Sequence, residues 1–265
     1  MSKVDKRKGE LLKELSKRKR ISTLDIQSLF DVSESTARRL CVDLENENKA
    51  VRILGGLQII STQLREDSGE YSYEKRATEN VEEKIRIGAY AATLVDNRDI
   101  MYISGGTTVH EFVKVLRERI LNNEISNVVI MTNSLANAEA LSGITRVVLT
   151  GGEFRPRWRD VAGYICEQNL MSMHFNKCFM GVDGIDIDNG IMAMDMDTAN
   201  LDKIASEKSE HTFVLADHHK FSNQSFVVFG RFEKNRHTII TGAEMDQELL
   251  IQAENKGLKI IAVDE

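Results

Sequence analysis

Long apolar runs are missing from this chain: nothing in its 265 residues approaches the roughly 20 consecutive apolar positions that cross a bilayer. The N-terminal stretch "MSKVDKRKGELLKEL" lacks the apolar centre of a secretory signal. Cysteine is scarce, and Cys41, Cys166 and Cys178 are odd in number, far apart and without a C-x-x-C pair. That argues against a disulfide framework and a thiolate zinc site, and it fits a reducing cytoplasm. There is no internal repeat and no low-complexity segment. Neither the P-loop pattern nor G-x-G-x-x-G occurs, which disfavours nucleotide binding. The order of serine, histidine and aspartate gives no ground for a hydrolytic triad. His218-His219 looks metal-like, but adjacent residues in extended chain face opposite sides, and no paired carboxylate spacing supports a site. "DIDNG" lacks the closing glutamate of a calcium loop. No cofactor and no metal are expected.

What is present is an ordinary globular composition, 42% hydrophobic and 29% charged, with a net charge of −6. The charge is uneven. Residues 1–60 hold 13 Lys+Arg against 9 Asp+Glu, and the remaining residues hold 22 against 32. A basic small region joined to an acidic large one implies two jobs, with a polyanion partner at the N-terminal end.

Residues 1–60 read as three short helices and a hairpin. Leu11, Leu12 and Leu15 fall at helical spacing, and "STLDIQSLF" opens on a cap at Ser22 or Thr23. "SESTARRLCVDLENEN" has Ser33 as its cap and Ala37, Leu40, Cys41 and Leu44 as a buried stripe. "AVRILGGLQII" forms two strands around Gly55-Gly56. This is the pattern of a winged helix-turn-helix, whose second helix enters the major groove with its N-terminal side chains at base edges. Ser33, Ser35, Thr36, Arg38 and Arg39 occupy that end, and Arg52 lies in the wing. Bidentate arginines read guanine, and hydroxyls hold phosphates. A three-helix unit of this kind can also be a protein-interaction module.

Residues 61–78 are polar and aperiodic and read as a linker. Residues 79–265 alternate amphipathic helices with strands that are apolar throughout, which indicates a mainly parallel sheet covered on both faces. Several polar loops follow strands, where ligands of such sheets collect. Ser104-Gly105-Gly106-Thr107-Thr108 opens a helix and offers amide and hydroxyl donors to a phosphate. Thr132-Asn133 is a second junction of this kind. "TGGEFRPRWRDVAG" brings Gly152 and three arginines around Trp158, and "GVDGIDIDNG" brings Asp183. Lys203 or Lys220 would add a charge-assisted contact.

These residues also resemble a family. Val32, Ser33, Thr36, Arg38, Arg39, Gly55 and Gly56 match the signature of DeoR-type bacterial repressors. Farther on, Gly106-Thr107-Thr108, Thr132-Asn133, Gly151-Gly152, Phe179-Gly181-Asp183-Gly184-Ile185, Lys203 and Ala216-Asp217-Lys220-Phe221 follow the motif order of that family's effector domain. Three positions depart from the pattern: Leu40 and Ser104 stand where the family usually has an acid, and the usual glycine before the wing is replaced within "NENKA". The resemblance implies a fold similar to sugar-phosphate isomerases and deaminases, a double-stranded DNA operator and a phosphorylated sugar as inducer. A two-fold protein reads a repeated operator, so a homo-oligomer, dimer or tetramer, is expected. The resulting expectation is a sugar-phosphate-controlled repressor of carbohydrate-metabolism genes that catalyses no reaction. The alternative is an isomerase- or deaminase-like enzyme with an appended helical module.

Overall fold

The computed structural model describes residues 3–18, 20–47, 49–53, 55–59 and 72–264. The chain divides into two compact units between Glu70 and Tyr71.

In the first unit, α1 (Lys3–Arg18), α2 (Thr23–Phe30) and α3 (Glu34–Asn46) pack on β1 (Arg20–Ser22), β2 (Ala50–Ile53) and β3 (Gly56–Ile59). Ser22 caps α2 through a reciprocal box: its hydroxyl accepts from the Asp25 amide at 3.0 Å, and its own amide donates to the Asp25 carboxylate at 3.2 Å. Ser33 caps α3, its hydroxyl accepting from the Thr36 amide. Ala37, Leu40, Cys41 and Leu44 are buried against Leu11, Leu15, Ile26 and Leu57. Leu40 therefore belongs to the core, and an acid there would bury an unpaired charge. β2 and β3 form the wing, in antiparallel register Arg52 to Leu57. β1 extends it to a three-stranded sheet, order β1-β3-β2. Gly56 permits this, because a Cβ there would lie 2.1 Å from the Ile21 carbonyl.

The linker expected over 61–78 needs correction at its far end, and residues 61–71 lie outside the described residues. α4 (Tyr73–Ala77) is a helix of the second unit. Tyr73 is buried there, and burial pushes its phenol up to about 12. The buried Lys84 ammonium donates to the carbonyls of Arg76 and Glu79, both at 2.6 Å, and so holds the end of α4.

The second unit continues with α5 (Val81–Thr93), β4 (Ile100–Ile103), α6 (Thr107–Leu121), β5 (Val129–Thr132), α7 (Leu135–Leu141) and β6 (Arg146–Leu149). Next come the hairpin of β7 (Glu153–Arg155) and β8 (Asp160–Ala162), then α8 (Tyr164–Met171), β9 (Phe175–Gly181), β10 (Gly184–Asp186) and β11 (Gly190–Ala193). The chain ends with α9 (Met196–Glu207), β12 (Ser209–Leu215), a 3-10 turn (His218–Phe221), β13 (Val227–Gly230), β14 (His237–Gly242), α10 (Gln247–Asn255) and β15 (Lys259–Val263). Seven strands make one sheet in the order β15-β14-β12-β9-β4-β5-β6, with parallel pairing throughout. β10, β11 and β13 form a small antiparallel sheet beside it.

Alternation along the strands divides the core between the two faces. Met101, Ile103, Phe179, Phe213 and Leu215 join Ile87 of α5 and Phe112 and Leu116 of α6 on one face. Tyr102, Cys178, Met180 and Val214 join Cys166 and Leu170 of α8 and Ala199, Leu201 and Ala205 of α9 on the other. The rings of Phe112 and Phe179 stack at 4.3 Å, and those of Phe179 and Phe213 at 5.0 Å.

Candidate functional site

On the first unit, the N-terminal end of α3 presents Ser33, Ser35, Arg38 and Arg39 exposed and Thr36 half-buried. The Ser33 hydroxyl lies 3.0 Å from those of Ser35 and Thr36, so three hydroxyls gather at the helix end. Arg38 pairs with Glu34 one turn away at 2.6 Å, an exposed pair that is cheap to exchange for a phosphate. Arg52 lies in the wing, 3.7 Å from Glu45.

On the second unit, the sheet order reverses between β4 and β9, with β5 and β6 on one side and β12, β14 and β15 on the other. A cleft opens at the carboxyl ends of β4, β5 and β9, where such a reversal leaves a crevice. It encloses about 700 Å³, counting its open mouth, and is lined by Ser104–Thr108, Asn133, Trp158, Asp160, Asp183 and other groups from α4, α9 and the 3-10 turn. Gly106 has φ 115° and ψ 154°, a conformation essentially restricted to glycine, and no side chain caps the first turn of α6 behind it. The amides of that turn face the cleft without a competing cap, which suits an anion.

Around this loop the polar groups hold one another. The Ser104 hydroxyl donates to the Gly105 carbonyl at 3.1 Å and accepts from the Gly181 amide at 3.2 Å, tying β4 to β9. The Asn133 side-chain amide oxygen Oδ1 accepts from the Tyr102 hydroxyl and the Gly105 amide, so Asn133 shapes the loop. Arg155 grips Asp160 bidentately at 2.9 and 2.7 Å and reaches Asp195 at 2.8 Å. Burial works against the Arg155 charge, but Asp160 and Asp195 more than offset it. Asp183 accepts from Arg76 of α4 and from the Met194 amide at 2.8 Å. Lys220, in the 3-10 turn, is shifted down by burial and by the nearby Arg76 charge, against the pull of Asp217 and Asp183.

Thus the structure gathers Ser104, Gly105, Gly106, Thr107, Thr108, Asn133, Asp183 and Lys220 at one cleft. Three other expected residues lie elsewhere. The Thr132 hydroxyl is fully buried and accepts from the Ser134 amide, closing the turn after β5. Gly152 is needed for packing, since a Cβ would lie 2.5 Å from the Ala162 carbonyl. Lys203 is exposed on α9 and borders a different depression with Ile191, Phe229 and His237. It follows Asp202 by one residue, about 100° around the helix, and the cap Asp195 together with Thr198 and Asp202 of α9 lines the cleft.

Sequence reasoning missed Arg76, Asp160, Asp195, Thr198 and Asp202. The i, i+3, i+7 spacing of the last three was the available signal. His218 and His219 also behave differently from expectation: in the 3-10 turn their rings lie 4.0 Å apart and do not point to opposite sides. His218 bonds Glu83 at 2.8 Å, and ligand atoms of His218, Glu83 and Glu244 lie within 4.8 Å of one another. Glu83 also accepts from the His218 and Gly242 amides and Glu244 pairs with Arg86, so the cluster fastens α5 to the end of β14.

A winged helix-turn-helix followed by an α/β unit with a cleft of its own is the architecture of a transcriptional regulator that carries its own sensor. Residues 7–63 match the DeoR-like helix-turn-helix domain and residues 79–243 the DeoR C terminal sensor domain. The chain belongs to the DeoR family. Among curated relatives it is similar to the uncharacterized HTH-type transcriptional regulator YulB of Bacillus subtilis, 28% identical over 98% of this chain and 97% of the relative. It is also similar to the HTH-type transcriptional repressor GlcR of that species, at 29% over 95% and 93%, and to its regulator IolR, at 26% over 86% and 87%. Among solved structures, ribose 5-phosphate isomerase A of Methanocaldococcus jannaschii aligns over 54% of this chain and 55% of its own, at 17% identity and TM-score 0.41. Among the described residues, no helix is long and apolar enough to cross a membrane.

Proposed function

We propose that this regulator is a repressor of carbohydrate-metabolism genes, released or engaged by a phosphorylated sugar bound in the cleft. The observation that carries the reading is the uncapped first turn of α6 behind Gly105-Gly106, opening into a cleft lined by hydroxyl-binding side chains. Gly106, Thr107 and Thr108 hold the phosphate on their amides and hydroxyls, Gly105 is set in place by Asn133, and Lys220 and Arg76 supply charge. Asp183 shares its carboxylate between Arg76, Met194 and a sugar hydroxyl. Ser33, Ser35, Thr36, Arg38, Arg39 and Arg52 contact the operator, and a homo-oligomer sets the half-site spacing. The sugar switches DNA binding only by binding the DNA-competent and incompetent states with different free energies.

A thermal-shift screen against phosphorylated sugars tests this. At saturating effector the melting midpoint rises by roughly 5 °C or more, and Thr107→Ala with Thr108→Ala abolishes the rise. No response to any phosphorylated sugar, or catalytic turnover of one, overturns the reading. DNA binding should weaken steeply with salt, and Arg38→Ala with Arg39→Ala should remove it. Unchanged affinity in that variant would return residues 1–60 to a protein-interaction role.

A further inference from the structure

The cleft holds more acid than a phosphate site needs. Its lining carries two cationic side chains, Arg76 and Lys220, and four carboxyl groups, Asp160, Asp183, Asp195 and Asp202. Three of the four are engaged. Asp160 and Asp195 share Arg155, Asp195 also caps α9, and Asp183 holds Arg76. Asp202 differs: it is 3% exposed, lines the cleft, and receives no hydrogen bond or ion pair from any described residue. A carboxyl taken out of water without a partner is costly, so such a group in a cavity wall marks where a ligand completes the bonding.

The surroundings say what kind of ligand. Burial first, and then the neighbouring carboxyls of Asp183, Asp160 and Asp195, push the Asp202 carboxyl well above its ordinary range, with Arg155 alone opposing them. A wall built only for sugar hydroxyls gains nothing from a carboxyl set among carboxyls, since an amide makes the same hydrogen bonds without the electrostatic cost. A cation reverses that balance: the acids that penalise an ionised Asp202 attract a positive group beside it. A dianionic phosphate alone would also leave the cleft with excess negative charge against Arg76 and Lys220. A ligand with a phosphate and an amine satisfies both features.

We infer that Asp202 takes the ammonium group of a phosphorylated amino sugar, making the effector zwitterionic. This rests on the reading of the cleft as a sugar-phosphate site. The test is titration calorimetry of the full chain with glucosamine 6-phosphate, galactosamine 6-phosphate, glucose 6-phosphate and N-acetylglucosamine 6-phosphate, in which acetylation removes the charge. The two amines should bind at least about tenfold more tightly than the two sugar phosphates that lack the ammonium charge, the scale of a charge-assisted bond in a desolvated site. Asp202→Asn should erase that preference. Equal binding of amine, hydroxyl and acetylated forms by the wild-type protein overturns the inference and leaves the sugar-phosphate reading standing. So does a preference that survives in Asp202→Asn. Binding of none of the four, nor of any other phosphorylated sugar, overturns both. The wild-type comparison needs no variant to fold.

Discussion

Single side chains in the cleft make demands on stability that the rest of the unit must offset. Asp202 is the clearest. Its carboxyl holds its proton far more tightly in the folded chain than in the unfolded one, where it titrates near 3.8. Between those values the folded state binds more protons, so the stability of the ligand-free protein falls as pH rises. The facing groups are Asp160, Asp183 and Asp195 on the acidic side and Arg155, Arg76 and Lys220 on the basic side. Asp202→Asn should flatten the slope and raise the midpoint at neutral pH, read as thermal midpoints from about pH 4 to 8. An unchanged slope would show that other carboxyls carry it. The variant should thus be more stable and less responsive, which separates a sensing cost from a folding need.

At the scale of elements, legibility followed periodicity. The stripe Ala37, Leu40, Cys41 and Leu44 is buried as its helical spacing indicates, and the seven sheet strands fall on apolar runs. Short elements escaped. β1, β7, β8 and β10 are three residues each, too short to show alternation, and α4 hides in a polar stretch because only Tyr73 is buried. The cleft was half legible for the same reason. Ser104–Thr108 advertises itself as a run, whereas Asp160, Asp195 and Asp202 come together only through folding of a hairpin and a helix. One crossing makes a sharp element-scale prediction. An exposed helical glycine usually gains about 1 kcal/mol on replacement by alanine. Gly88 of α5 is different, because a Cβ there would lie 2.5 Å from the Phe112 amide nitrogen of α6. Gly88→Ala should therefore destabilise the second unit by about 1–3 kcal/mol in chemical denaturation. A stabilised variant would mean that α5 and α6 separate more easily than their packing indicates.

For the whole molecule, the parallel order β15-β14-β12-β9-β4-β5-β6 places the first strand of the sheet in its middle. β5 and then β6 add outward on one side, and β9, β12, β14 and β15 add in chain order on the other. Every strand after β4 meets an earlier neighbour already made, so the sheet can grow as the chain leaves the ribosome without waiting for a distant partner. Loop-closure entropy is then met in small increments despite a topology of non-local pairings. Pulse-labelled hydrogen exchange during refolding should protect β4, β5 and β6 before β14 and β15; simultaneous protection would show all-or-none closure. The cleft has its own place in that schedule. Its walls include Asp183 after β9, Asp202 on α9 and Lys220 beyond β12, so the cleft is complete only once the chain has been made through Lys220. The winged unit, made before the second unit, is free to fold and meet DNA while the cleft is still incomplete.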